Sequence, residues 1–171
     1  MELQNEYYSN NMKILEIDNA IQTCRSHILS LPTKEPKIEY FLTCYLLILI
    51  AIYFEKEIKK MVSNNIQTCK GSKKLLYYFQ RTDGTQPNGL KTSQLPQFLG
   101  KFGAPCQKNF EKQCLESKNA RAVSAYNDMI QNRHYAAHRE EITMTFDEVI
   151  VAYEKGHIIL DIFSESLRKR R

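Results

Sequence analysis

The stretch Tyr126-Asn127-Asp128-Met129-Ile130-Gln131-Asn132-Arg133-His134-Tyr135-Ala136-Ala137-His138 decides how this chain is read. Counting from Ala122, the residues Ala122, Tyr126, Met129, Arg133 and Ala137 follow at intervals of four, three, four and four, with Ile130 beside them. That spacing is one stripe of an α-helix. Arg133 continues an otherwise apolar face, where a lone charge is costly, so it is expected to point inward or into an interface. The helix ends in the hexad Arg133-His134-Tyr135-Ala136-Ala137-His138, which holds two of the four histidines of a chain without tryptophan.

The pattern on either side is also helical. A first amphipathic helix is expected from about Glu6 to Leu29, with Ile14, Ile17, Ile21 and Ile28 on one side and Pro32 and Pro36 beyond it. A second runs from about Ile38 to Ser63. Its first half is apolar all round, so it must be covered on every side, by its own domain or by a second subunit. A short helix from about Ser93 to Phe102 is closed by Gly103 and Pro105, and helix resumes from about Phe110 to Ala137 with a break near Lys118-Asn119. The last helix starts at Thr145-Phe146-Asp147-Glu148, a capping box, and reaches about Leu167. The expected architecture is all-α, one domain over residues 1–171 with a short basic tail at 168–171.

Composition narrows the class. The 171 residues, 43% of them hydrophobic, can bury a core without disulfides or metal staples. The net charge of +5 is concentrated, because four of the 24 basic residues are Arg168, Lys169, Arg170 and Arg171, leaving 20 against 19 acids. Any attraction for polyanions is therefore local. The odd count of five cysteines, without a C-x-x-C pair, and the acidic start Met1-Glu2-Leu3-Gln4-Asn5-Glu6 point to a reduced cytoplasmic protein. The apolar run Tyr40 to Phe54 falls short of the roughly 20 residues that span a bilayer and is read as a buried helix.

Between Asn64 and Thr92 lie the loop signals Gly71, Asp83-Gly84, Pro87 and Asn88-Gly89. The same stretch holds Lys70, Lys73, Lys74 and Arg81 interleaved with Tyr77, Tyr78 and Phe79. Such a patch can hold phosphates and stack bases, but tyrosines that cover a core beside solvated lysines are the more common cause of the pattern.

The hexad carries the chemistry. Arginine holds a permanent charge shaped for phosphate, and histidine exchanges a proton near neutral pH. Residues five apart on a regular helix differ by about 140° in direction and about 7.5 Å in rise, so Arg133 and His138 cannot sit side by side on one straight helix. They meet either where the helix ends and swings His138 round, or where two copies of the segment face each other. The small Ala136 and Ala137, which permit close helix approach, favour the second. The fitting reaction is attack of an RNA 2′-hydroxyl on its neighbouring phosphate, with histidine moving the proton and arginine balancing charge on phosphorus. Two other readings stay open on the residues alone. Arg133 can simply pair with a core carboxylate such as Glu55 while both histidines sit at the surface. Or His134 and His138, with Glu140 or Glu141, can ligate a metal, although zinc helices of that shape carry glutamate where Tyr135 stands.

The hexad resembles the R-x4-H signature of the HEPN superfamily, here Arg133, the polar His134, and His138. The longer run Tyr126 to His138, followed by Ile142-Thr143-Met144-Thr145-Phe146-Asp147-Glu148, is similar to the RiboL-PSP and MAE-type branch, as are Leu95 to Gly103 and the second helix with Phe54-Glu55. Arg139, Glu140 and Glu141 stand where that branch often has glycine. The resemblance implies a HEPN-like bundle of about five or six helices, dimeric through the motif-bearing helices. It implies a metal-independent endoribonuclease that needs no cofactor and serves in prokaryotic anti-phage or toxin–antitoxin systems, with an antitoxin or defence partner. Arg133 and His138 would be catalytic, His134 would orient them or the RNA, and Glu55 would hold Arg133. Lys70, Lys73, Lys74, Arg81 and Arg139 are the candidate RNA contacts. The alternative is a non-catalytic helical module docking to a larger partner.

Overall fold

The computed structural model describes residues 2–31, 33, 35–68, 89, 91–138 and 140–169, with side chains from Glu16 to Gln67 and beyond residue 88. Among them are six α-helices and no strand: α1 (Glu2–Ser30), α2 (Pro36–Thr68), α3 (Leu95–Gly100), α4 (Ala104–Leu115), α5 (Ala120–Ala137) and α6 (Phe146–Leu167). A 3-10 turn at Ser117–Asn119 joins α4 to α5. The protein is all-α, as its periodicities require. Helix α6 lies at the centre, packed on α5, α2 and α4, while α1 covers α2 and α3 pairs with α4.

The core is built at the apolar positions of each helix. Ile17, Ile21 and Cys24 of α1 meet Leu46, Leu47, Ile50, Phe54 and Ile58 of α2 in one cluster with Val149, Ile159, Leu160 and Phe163 of α6. The tightest approach is at Gly156 of α6, where the Phe54 ring occupies the space that a Cβ would need. Tyr126, Tyr153 and His157 pack their rings against Phe54 at 5.9, 6.2 and 5.6 Å. This seat fixes how α2 lies between α5 and α6, and it fixes the direction of the next residue, Glu55.

The ends of the helices follow local chemistry. Thr145 caps α6 as its sequence demands: its hydroxyl accepts the Glu148 amide at 3.3 Å, and the Glu148 carboxylate accepts the Thr145 amide at 2.8 Å. Those bonds to the charged carboxylate hold Glu148 below its ordinary pKa. The break before α5 falls at Asn119, whose buried side chain donates to the Gln113 carbonyl at 2.8 Å.

Three expectations are corrected. Gly103 and Pro105 begin α4 rather than merely closing the helix before it, because proline fits a first turn and Gly103 takes φ of 133°. The run Tyr40 to Phe54 is part of a 33-residue helix, so shortness does not argue against a membrane span. By length and composition Pro36–Gln67 could cross one, and 39% of its most apolar window is buried in the protein. Ala137 is exposed, so the stripe of α5 turns to the surface in its last turn.

Candidate active site

The face of α5 that enters the core comprises Ala122, Tyr126, Met129 and Ile130. One turn further, the same face reaches Arg133, and opposite it stands Glu55, the residue after the core anchor Phe54. Arg133 Nη2 lies 3.6 Å from Glu55 Oε1, an ion pair just beyond hydrogen-bond length. The arginine side chain is 33% exposed and the glutamate 15%. Pairs with one wet partner add little to stability; what this one does is hold the guanidinium in a single direction. Glu55 Oε1 is buried without a hydrogen-bond donor among the described residues, so the guanidinium is the partner that answers its charge. The same carboxylate, after burial, raises the pKa of the Tyr126 phenol.

Gly89 lies over the pair. Its φ of 56° is left-handed, which glycine adopts freely, and a Cβ there would stand 3.5 Å from Glu55 Oε1 and 3.8 Å from Arg133 Nη1. The segment after it is stitched to α5. Lys91 Nζ donates to Gln131 Oε1 at 2.6 Å, and the Thr92 amide donates to Asn127 Oδ1 at 2.9 Å, with Asn127 Nδ2 returning a bond to the Thr92 hydroxyl at 2.9 Å. Between this strap and α5 opens a cavity of about 400 Å³, lined by Lys91, Gln94, Ile130, Gln131, Arg133 and His134 among others.

The helix ends where the hexad requires, and His138 stands at that end beside His134. As the C-terminal cap of α5 it keeps φ −98° and ψ 9°, close to helical, and its amide donates to the carbonyls of His134 and Tyr135. Its ring therefore stays one turn above His134, with centroids 4.4 Å apart and planes at 54°. Both imidazoles are exposed. His134 lines the cavity with Arg133 and makes a tilted ring contact with His138, which is not among the cavity's lining residues. Among the described residues no group of three His, Cys, Asp or Glu side chains converges on one point.

Asn132 escaped the sequence reading. It is 3% exposed, and its Oδ1 accepts the Thr143 amide at 2.6 Å, the Thr143 hydroxyl at 3.1 Å and the Met144 amide at 3.3 Å. It thus ties the segment that follows His138 back onto the motif helix. A polar residue at an inward position beside Arg133 was the available signal. Lys70, Lys73, Lys74, Arg81 and Arg139 lie outside the described residues.

A model of the RiboL-PSP-HEPN family matches residues 12–169. The chain belongs to this family. No curated protein and no solved structure matches it. Membership makes the RiboL-PSP-HEPN bundle a nuclease or RNA-related module, of a kind that commonly binds RNA and pairs as dimers. In this RiboL-PSP-HEPN chain Arg133 faces Glu55 of α2, and His134 and His138 are exposed at the C-terminal end of α5.

Proposed function

We propose that this chain is a metal-independent endoribonuclease working as a homodimer in the cytoplasm. The observation that carries the reading is Arg133, anchored from behind by Glu55 and open in front to a cavity it shares with His134. The 2′-hydroxyl of RNA attacks the adjacent phosphorus, and the bond to the 5′-oxygen breaks. The His138 imidazole of the facing copy takes the hydroxyl proton and, as imidazolium, passes it to the departing 5′-oxygen. Arg133 balances the charge on the five-coordinate phosphorus, a contribution of about 3 to 4 kcal/mol if it equals other preorganised donors. The products are a 2′,3′-cyclic phosphate and a 5′-hydroxyl, and DNA, lacking the nucleophile, is spared.

Two copies are invoked because His138 stands beside His134 but is not among the residues that line the cavity, on an end of α5 where Ala137 is also exposed. A facing copy supplies the missing histidine to each cavity. In this reading the chain is the effector of a prokaryotic anti-phage or toxin–antitoxin system, with an antitoxin or defence protein as partner. The same offset of His138 favours a second reading, a non-catalytic module whose exposed hexad docks to a larger protein.

The test is total RNA in excess EDTA. Wild type should leave cyclic-phosphate ends, and Arg133→Ala and His138→Ala should leave none. Full activity in either variant refutes the assignment, and activity abolished by EDTA returns the metal reading of His134 and His138. Mixed Arg133→Ala and His138→Ala subunits should recover part of the activity, whereas a monomer in sedimentation at working concentration removes the composite site.

A further inference from the structure

We propose that the cavity beside Arg133 is a base pocket that selects a guanine next to the scissile phosphate; as a cleavage subsite it rests on the ribonuclease reading. At about 400 Å³ it falls in the range of small-molecule sites, roughly 300 to 1,000 Å³. Its lining is rich in donors, and Ser93 and His134 can also accept. Gln131 Oε1 is engaged by the Lys91 ammonium at 2.6 Å, and Gln94 Oε1 by the Lys91 amide at 3.0 Å. With both carbonyl oxygens taken, the free hydrogen-bonding end of each glutamine is its NH2, and neither NH2 has a partner among the described residues. Lys91 and Arg133 add donors and no acceptor. Ile130 supplies an apolar surface for a ring face, and it is held in the core by α5.

A wall of donors wants adjacent acceptors. Guanine offers two on one edge, O6 and N7, whereas adenine sets its N6 amino group, a donor, against the glutamine amides. The strap explains why the selection is fixed in advance. Lys91 holds both glutamine oxygens at once, through its side chain and its backbone, so neither amide can turn over without losing a bond. The position of the pocket, sharing Arg133 and His134 with the proposed reaction centre, places the base within one nucleotide of the phosphate that Arg133 holds.

The test uses His138→Ala protein and two probes, guanosine 3′-monophosphate and adenosine 3′-monophosphate, titrated by calorimetry. The guanine nucleotide should bind roughly tenfold more tightly, as expected of a good bidentate base contact. Gln131→Glu keeps an oxygen for Lys91 but replaces the NH2 with an acceptor, and it should abolish or invert the preference; Gln94→Glu makes the same exchange at the start of α3 should the first variant not fold. Equal affinity for the two nucleotides, or a preference untouched by both exchanges, overturns the proposal. Binding needs no cleavage, so the two readings fail separately. A protein that prefers the guanine nucleotide but leaves RNA intact loses the ribonuclease reading, and one that cleaves RNA without a guanine at the cut site loses the pocket.

Discussion

Replacing Asn132 with alanine should loosen the segment behind His138, and its cost follows from the bonds it makes. The Asn132 carbonyl oxygen accepts the Thr143 and Met144 amides at 2.6 and 3.3 Å, and its NH2 donates to the Asp128 carbonyl at 2.9 Å. The Thr143 hydroxyl also donates to it at 3.1 Å, but Thr143 is exposed and that group can turn to water. Two amide bonds of about 1 kcal/mol each, with part of the desolvation cost of amides left facing a helix, come to roughly 2 to 3 kcal/mol. Alanine returns about 0.5 kcal/mol of helix propensity. The net loss of about 2 kcal/mol corresponds to a fall in melting temperature of roughly 4 to 8 °C for a chain of this size. Far-UV circular dichroism melts and urea titrations measure it. Asn132→Asp keeps an accepting oxygen but sets a second, charged one against the Asp128 carbonyl in a buried site, so it should lose at least as much as alanine, while Thr143→Ala should change stability by under about 0.5 kcal/mol. RNA cleavage by Asn132→Ala should drop further than its folded fraction explains, because the released segment begins just after His138. A loss below about 0.5 kcal/mol in Asn132→Ala, or a Thr143→Ala variant as unstable as Asn132→Ala, would refute the argument.

Gly156→Ala should destabilise by a net of up to about 2 kcal/mol in denaturant titrations, because overpacking of about 1 to 3 kcal/mol against Phe54 outweighs or cancels the propensity gain of about 1 kcal/mol; a more stable variant would show that the ring yields freely. Thr145→Ala removes the α6 cap and should cost about 1 kcal/mol, and an unchanged midpoint would mean that the cap is replaced by water at no loss. His157 sits among Tyr53, Phe54 and Tyr153, and burial lowers its pKa from the ordinary 6.5 although Asp161, Asp18 and Glu57 pull it upward. A base with a depressed pKa contributes fully above the unfolded value, and stability then declines as pH falls below 6.5, where the unfolded chain takes a proton that the folded chain refuses. Melts of His157→Phe between about pH 7 and 5 should therefore be flatter than those of wild type, and identical slopes would assign the acid sensitivity elsewhere.

Helix identity was legible because it depends on neighbours in sequence. The stripe Ala122, Tyr126, Met129 and Ile130 is buried, and Thr145 caps α6 with Glu148 as the four-residue motif dictates. Extent was less legible. Helix α2 runs to Thr68, beyond the expected end near Ser63, and Val62 and Ile66 keep it packed on the core through a stretch whose polar residues hide the pattern. Helix α4 begins at Ala104 because Gly103 and Pro105, which stop one helix, are equally suited to start another.

The sequence by itself determined the all-α class, the cap of α6 and the inward course of Arg133, since period, capping and side-chain direction are local properties of the chain. Only the tertiary structure decided what Arg133 meets, because a 78-residue separation from Glu55 is closed by packing, with Phe54 seated on Gly156. It also decided that His138 remains on the side of His134, since the cap residue keeps a near-helical backbone and two imidazoles a turn apart then come into tilted contact. The strap that shapes the cavity belongs to the same level: Lys91 and Thr92 reach Gln131 and Asn127 across 40 and 35 residues, a pairing that no periodicity encodes.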